Sequence, residues 1–218
     1  VVINKRDPVS EDDIIKNISS THIPLDLSTV PKQELRIGYY STWKVQCGIA
    51  VYTEHLYNAL ENIGCKVFGY PNSLNVKQLL NRIDLDKIHV LNFQYEPAIM
   101  PGINDMEFLI SELRKRRINV VMTFHSEPSN AIKLADLADK VIVHKSTGEL
   151  FKHPNTVLIP MAVPVFCANK SIEEARANYG FRATDKIITT TGFMFTWKQH
   201  ASILEMLVPY IKQDSDLK

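Results

Sequence analysis

Cysteine is scarce and arranged to hold nothing: Cys47, Cys65 and Cys167 are an odd number with no CxxC pair. That spacing excludes a disulfide framework and a cysteine-built zinc site, and it points to a reducing compartment. All three are read as ordinary thiols. Charge of one sign is missing as well. Lys+Arg 25 against Asp+Glu 24 leaves a net charge of +1, so no global field recruits nucleic acid and any anion site must be local. No apolar run reaches the roughly 20 residues that a spanning helix needs. The opening VVINKRDPVSEDD lacks a signal peptide's order of charge followed by an apolar core. These absences predict a soluble, cytoplasmic chain. It begins at Val1 without an initiator Met, as expected of a piece cut from a longer polypeptide. Neither GxGxxG nor GxxxxGK(S/T) occurs, which excludes a standard dinucleotide or Walker phosphate loop.

What is present is enough apolar material, 45% of 218 residues, to bury one α/β core with a stub of another. Residues 1–34 are polar and broken by Pro8, Pro24 and Pro31, so they read as an arm or linker with one short helical candidate at 11–17. From Leu35 the texture changes. Apolar runs at 36–40, 65–70, 87–93, 119–124, 140–144 and 156–159 read as strands. Helical periodicity fills the intervals at 49–63, 75–81, 105–117, 131–138 and 147–152. In the first of these, Ile49, Tyr52, Leu56, Leu60 and Ile63 recur at three- and four-residue steps, and Gly64 supplies the left-handed stop. Apolar strands alternating with helices predict a parallel sheet covered on both faces, a doubly wound Rossmann-like α/β domain over residues 35–165. After Pro164 the pattern restarts: a helix at 171–179, a strand at 186–191 and a helix at 198–211. Residues 166–218 therefore read as a linker and the first strand and helix of an incomplete second domain.

In such a sheet, ligands sit beyond the carboxyl ends of the strands, so the loops after each strand carry the candidates. The first is STWKVQCGIA, where Gly48 precedes a helix whose free amides and dipole favour an anion. The next two are QYEP and HSEP. They bring Tyr95 and Glu96, then His125, Ser126 and Glu127, to the same edge, where polar groups converge. Read alone, His125 is equally a hydrogen-bonded histidine at a sheet edge, and Glu96 an exposed loop carboxylate.

The segments RIGYYSTWKVQCGIAVYTEHLYNALENIG, HVLNFQYEP, VVMTFHSEP, ADKVIVHKSTGELF, VLIPMAVPVF and TTTGFMFTWKQH resemble, in order and spacing, the retaining GT-B glycosyltransferases of the glycosyl transferases group 1 type. The resemblance covers about three quarters of the chain. It implies the N-terminal half of a GT-B fold with the start of the second domain. The implied activity is transfer of a sugar from a nucleotide-sugar donor, with retention, to a carbohydrate or lipid-linked acceptor, without metal or other cofactor. By position, Cys47, Gly48 and Ile49 correspond to the loop facing the donor diphosphate, Lys198 to the family's lysine, and His125 to the histidine beside the donor sugar. Trp43, Tyr95, Glu96, Ser126 and Glu127 are the candidates for sugar and acceptor contacts. The chain departs from the family where Cys47 replaces a glycine, Phe193 an arginine and Gln199 a glycine. The C-terminal pair of carboxylates is absent. Transferase activity of this chain alone is therefore expected to be negligible, and self-association through residues 186–211 is expected in place of the missing C-terminal domain.

Two further motifs are weighed. Asp84-Leu85-Asp86 matches a DxD metal motif but precedes its strand, so it reads as a solvated turn. Arg114-Lys115-Arg116-Arg117 closes a helix, where cations favour the macrodipole; its functional reading is a peripheral contact with an anionic membrane. The rival to a transferase is a non-catalytic glycan- or protein-binding module built on the same fold.

Overall fold

Each of the six apolar runs becomes a strand of one all-parallel sheet in the computed structural model, which describes residues 26–100, 105–161, 169–190, 192, 199–214 and 216. The strands are β1 (Arg36–Ser41), β2 (Lys66–Pro71), β3 (Val90–Tyr95), β4 (Asn119–Phe124), β5 (Lys140–Val143) and β6 (Thr156–Leu158), in the order β2-β1-β3-β4-β5-β6. Between them run α1 (Gly48–Asn62), α2 (Val76–Asp86), α3 (Met106–Lys115), α4 (Ala131–Leu137) and α5 (Glu149–Lys152). The doubly wound Rossmann-like architecture is the one expected.

Side chains alternate along a strand, and the two faces of this sheet bury different partners. Tyr39 and Val67 join Leu56, Tyr57 and Leu60 of α1. Tyr40, Tyr70, Phe93 and Met122 join Leu79 and Ile83 of α2 and Leu109 and Leu113 of α3. Neighbours Tyr39 and Tyr40 thus belong to opposite cores. Gly38 is required by this packing, because a Cβ there would lie 2.6 Å from the Tyr70 ring. The helix ends follow local chemistry. Asn75 and Gln78 form a reciprocal capping box at α2, and Asp105 Oδ1 accepts from the Phe108 amide at α3. α1 stops before Gly64, whose φ of +96° is open to glycine without penalty. Strand order reverses between β1 and β3, so the topological switch point, and the crevice it opens, lies at their carboxyl ends.

Contacts divide the chain into two compact units, Val1–Ala162 and Val163–Lys218. The second holds α6 (Ile172–Asn178), entered through a Ser171–Glu174 capping box, and α7 (His200–Gln213). Its buried Asp185 accepts from the amide and guanidinium of Arg182. Among the described residues no helix is long and apolar enough to cross a membrane.

Three expectations are corrected. The strand expected at 186–191 is not formed over 186–190: Lys186 makes a single bridge, its amide donating to Asp216, and 187–190 carry no ladder. The helix expected at 75–81 runs on to Asp86 because Leu79, Leu80 and Ile83 keep its buried stripe going, and β3 accordingly starts at Val90. Asp84-Leu85-Asp86 is therefore the last turn of α2 and not a separate turn, with Asp84 and Leu85 exposed as expected. Its Asp84 carboxylate pairs with Arg116, and its Asp86 accepts from the Tyr70 hydroxyl. The basic run closes α3 as expected, with Arg114 and Lys115 in its last turn and Lys115 and Arg117 exposed; Arg114 also donates to the Leu137 carbonyl, and Lys115 and Arg116 pair with Glu112. The helical candidate at 11–17, Cys167, Phe193 and Lys198 lie outside the described residues.

Candidate functional site

β3 carries a chemical oddity. Its second and fourth alternate positions are apolar on one face, while Asn92 and Gln94, both buried, occupy the other. Buried amides must find partners, and these find each other. Gln94 Nε2 donates to Asn92 Oδ1 at 3.0 Å, and that oxygen also accepts from Thr123 Oγ1 of β4 at 3.0 Å. The free end of the chain, Gln94 Oε1, meets His125 Nε2 at 2.9 Å. Because Gln94 presents an oxygen there, Nε2 carries the imidazole proton and Nδ1 is left with the lone pair. Nδ1 makes no hydrogen bond among the described residues and is not sealed from solvent.

Three aromatic rings meet at this point. Tyr52, on the second turn of α1, stands edge-on to His125 at 5.5 Å and to His144 at 5.2 Å, and the two histidines are 5.4 Å apart. His144 Nδ1 donates to the Ile159 carbonyl at 2.8 Å, which leaves its Nε2 buried without a partner. Burial among these rings, and secondarily the neighbouring His144, lowers the His125 pKa from 6.5 to about 4. His125 is a neutral imidazole at physiological pH.

A cleft of about 220 Å³ opens over the ends of β4 and β5, lined by His125, Ser126, Glu127, His144, Lys145 and Thr147 among others. Three expected site residues thus share one cavity. Glu127 has a second duty: its Oε1 accepts from the Leu150 amide at 2.8 Å, and its carboxylate abuts Gly148, where any Cβ would collide with it. The carboxylate braces the entry to α5. The Ser126 hydroxyl has no hydrogen-bond partner among the described residues. Glu96 precedes a 3-10 turn, Pro97–Ile99, and does not line the cleft. Tyr95 points to the other face, its ring 5.2 Å from Phe124 in the core. Trp43 folds back on the β2 edge, donating from Nε1 to the Tyr70 carbonyl at 3.0 Å, with its ring against Gly69 and edge-on to Tyr57.

At the switch point, Cys47 occupies the N-cap of α1 with no side-chain bond to the first turn, so the amides of Gly48, Ile49 and Ala50 lack capping partners. Gly48 has open space where its Cβ would be. The helix is fixed to β1 by a buried hydroxyl pair, Ser41 Oγ to Thr53 Oγ1 at 2.8 Å, with Thr53 also bonded to the Ile49 carbonyl. Beside it Thr42 Oγ1 is buried and unpartnered. Tyr52 ties this helix start to His125. Among the described residues no three His, Cys, Asp or Glu side chains are grouped to hold a metal.

The residues that sequence reasoning passed over are Tyr52, Asn92, Gln94, Thr123 and His144. A signal for three of them, Asn92, Gln94 and Thr123, was present. Polar residues at alternate positions in HVLNFQY and VVMTFH mark one polar face on two strands that are otherwise apolar. No protein-family model matches the chain. No curated protein matches it either.

Proposed function

We propose that this chain is the acceptor-side part of a retaining, metal-independent glycosyltransferase that uses a nucleotide-activated sugar, with His125 beside the reacting centre. The observation that carries the reading is His125 itself: a neutral imidazole at the carboxyl end of β4, one nitrogen anchored to buried Gln94 and the other open to a cleft. Retaining transfer passes through an oxocarbenium-like state. A neutral, hydrogen-bonding imidazole positions the sugar there without repelling the cation. The departing nucleoside diphosphate is an anion, and uncapped amides at the start of α1 suit it. The family resemblance of the chain supplies the rest of the reading. A binding module without catalysis is the second reading. It is favoured by Trp43 and Tyr95, which are engaged by the chain's own packing and leave fewer aromatic platforms for a sugar.

The test is a donor screen on the longest natural polypeptide containing this chain, following release of nucleoside diphosphate from several nucleotide sugars with and without glycan acceptors. Turnover of one donor with retained anomeric configuration is expected. Tight binding of donor and glycan with no turnover of any donor would favour the binding module.

A further inference from the structure

The relay beneath His125 does more than fill a polar gap in the sheet. Its hydrogen bonds converge on one oxygen: the Thr123 hydroxyl and the Gln94 amide nitrogen both donate to Asn92 Oδ1, and imidazole Nε2 donates to the Gln94 oxygen. Both amides sit on β3, two residues apart and on one face, with Gln94 fully buried. An apolar side chain at 94 would fill the space equally well, so burying a primary amide here needs a reason.

We propose that Gln94 is a positioning residue. By keeping the proton of His125 on Nε2, it turns Nδ1 into a fixed hydrogen-bond acceptor facing the cleft, so that the ligand must bring a hydroxyl or ammonium hydrogen to that point and not an anionic oxygen. His144 reinforces the polarity. Its Nδ1 proton is spent on the Ile159 carbonyl, so the second imidazole of this wall also has no proton to offer while it is neutral. At its two imidazoles the wall between the ends of β4 and β5 has no proton to donate; the donors of the cleft include the Ser126 hydroxyl and Lys145. Charged groups around the cleft are Glu127, occupied at the Leu150 amide, and exposed Lys145. An anionic ligand group would bind Lys145, whereas a sugar hydroxyl would bind His125. The ligand-facing role of His125 rests on the function proposed above. The tautomer does not, because it is read on the imidazole itself.

The experiment is long-range proton–nitrogen NMR of the nitrogen-15-labelled chain, with the His125 signals identified by their loss in His125→Gln. Wild type should show a pyrrole-like Nε2 and a pyridine-like Nδ1. Gln94→Met keeps the volume and removes the acceptor, so the proton should shift substantially toward Nδ1, where it can reach the cleft. Gln94→Glu places a carboxylate against Nε2 and should raise the His125 titration midpoint by about one pH unit or more. Should that buried carboxylate prevent folding, Gln94→Met still decides the matter. A wild-type protein with its proton on Nδ1, as a joint flip of both amides would produce, overturns the inference and inverts the ligand class. So does a Gln94→Met variant with an unchanged tautomer. The predicted tautomer in an enzyme that turns over no donor would instead count against the proposed function alone.

Discussion

Neutral His125 makes the domain sensitive to acid in a way that can be calculated. Unfolded, the imidazole takes up a proton near 6.5; folded, burial among Tyr52, Gln94 and His144 delays uptake to about 4. Between those values the unfolded chain binds more protons, so stability falls as pH falls and is fully present above the unfolded value. Integrating across the window to about pH 4.5 gives a loss of about 2–3 kcal/mol from this one group, a large share of the 5–15 kcal/mol by which domains are commonly stable. Other groups titrate in the same range, so the assay is a difference. Urea unfolding, followed by circular dichroism, is measured at about pH 7 and about pH 4.5 for wild type and for His125→Gln, which carries no titrating proton. Wild type should lose about 2–3 kcal/mol more than the variant. Equal losses would mean that the imidazole is as well solvated when folded as when unfolded, and the argument for a neutral His125 would fail.

Thr53→Val should cost about 1–3 kcal/mol in urea unfolding, since it strands the buried Ser41 hydroxyl that fixes α1 to β1. Gly148→Ala should lower stability by a similar amount, about 1–3 kcal/mol, because a side chain at a φ of +93° is strained and its Cβ collides with the Glu127 carboxylate. Circular dichroism melts would show whether the shift is there. Light scattering should find the purified chain self-associated, driven by α7, where Leu204, Met206 and Tyr210 are 51%, 73% and 62% exposed. A monomer in dilute solution would contradict that.

The sheet was readable because each strand is a short apolar run between helices whose periodicity is unambiguous: 119–124 was bounded to the residue, and 36–40 and 140–144 to within one. Charge does not by itself mark a turn. Asp84-Leu85-Asp86 looks like a solvent-facing break, yet Arg116 and the Tyr70 hydroxyl hold those carboxylates on the last turn of a helix. The segment at 186–190 failed the other way. A β-rich composition does not make a strand where no neighbouring strand offers a ladder. At the site, loop position was enough to find His125, Ser126 and Glu127 together. It misdirected the aromatics, because Trp43 and Tyr95 have indole and phenol bodies that the core can use, and packing claimed both. Gln94 and Asn92 were missed for a related reason. They sit inside an otherwise apolar run, and only their alternation marks the polar face that meets the imidazole.

The central claim is that His125 acts on the sugar in the chemical step and not on the nucleotide. His125→Ala in the longest natural form of the protein, assayed with the donor that the screen identifies, puts this to the question directly. The expected result is a kcat lower by about 10²-fold or more with little change in the Kd for the nucleoside diphosphate, and with the fold intact by circular dichroism. An unchanged kcat, or a loss of nucleotide affinity equal to the loss of rate, would contradict the account and return His125 to a structural role at the sheet edge.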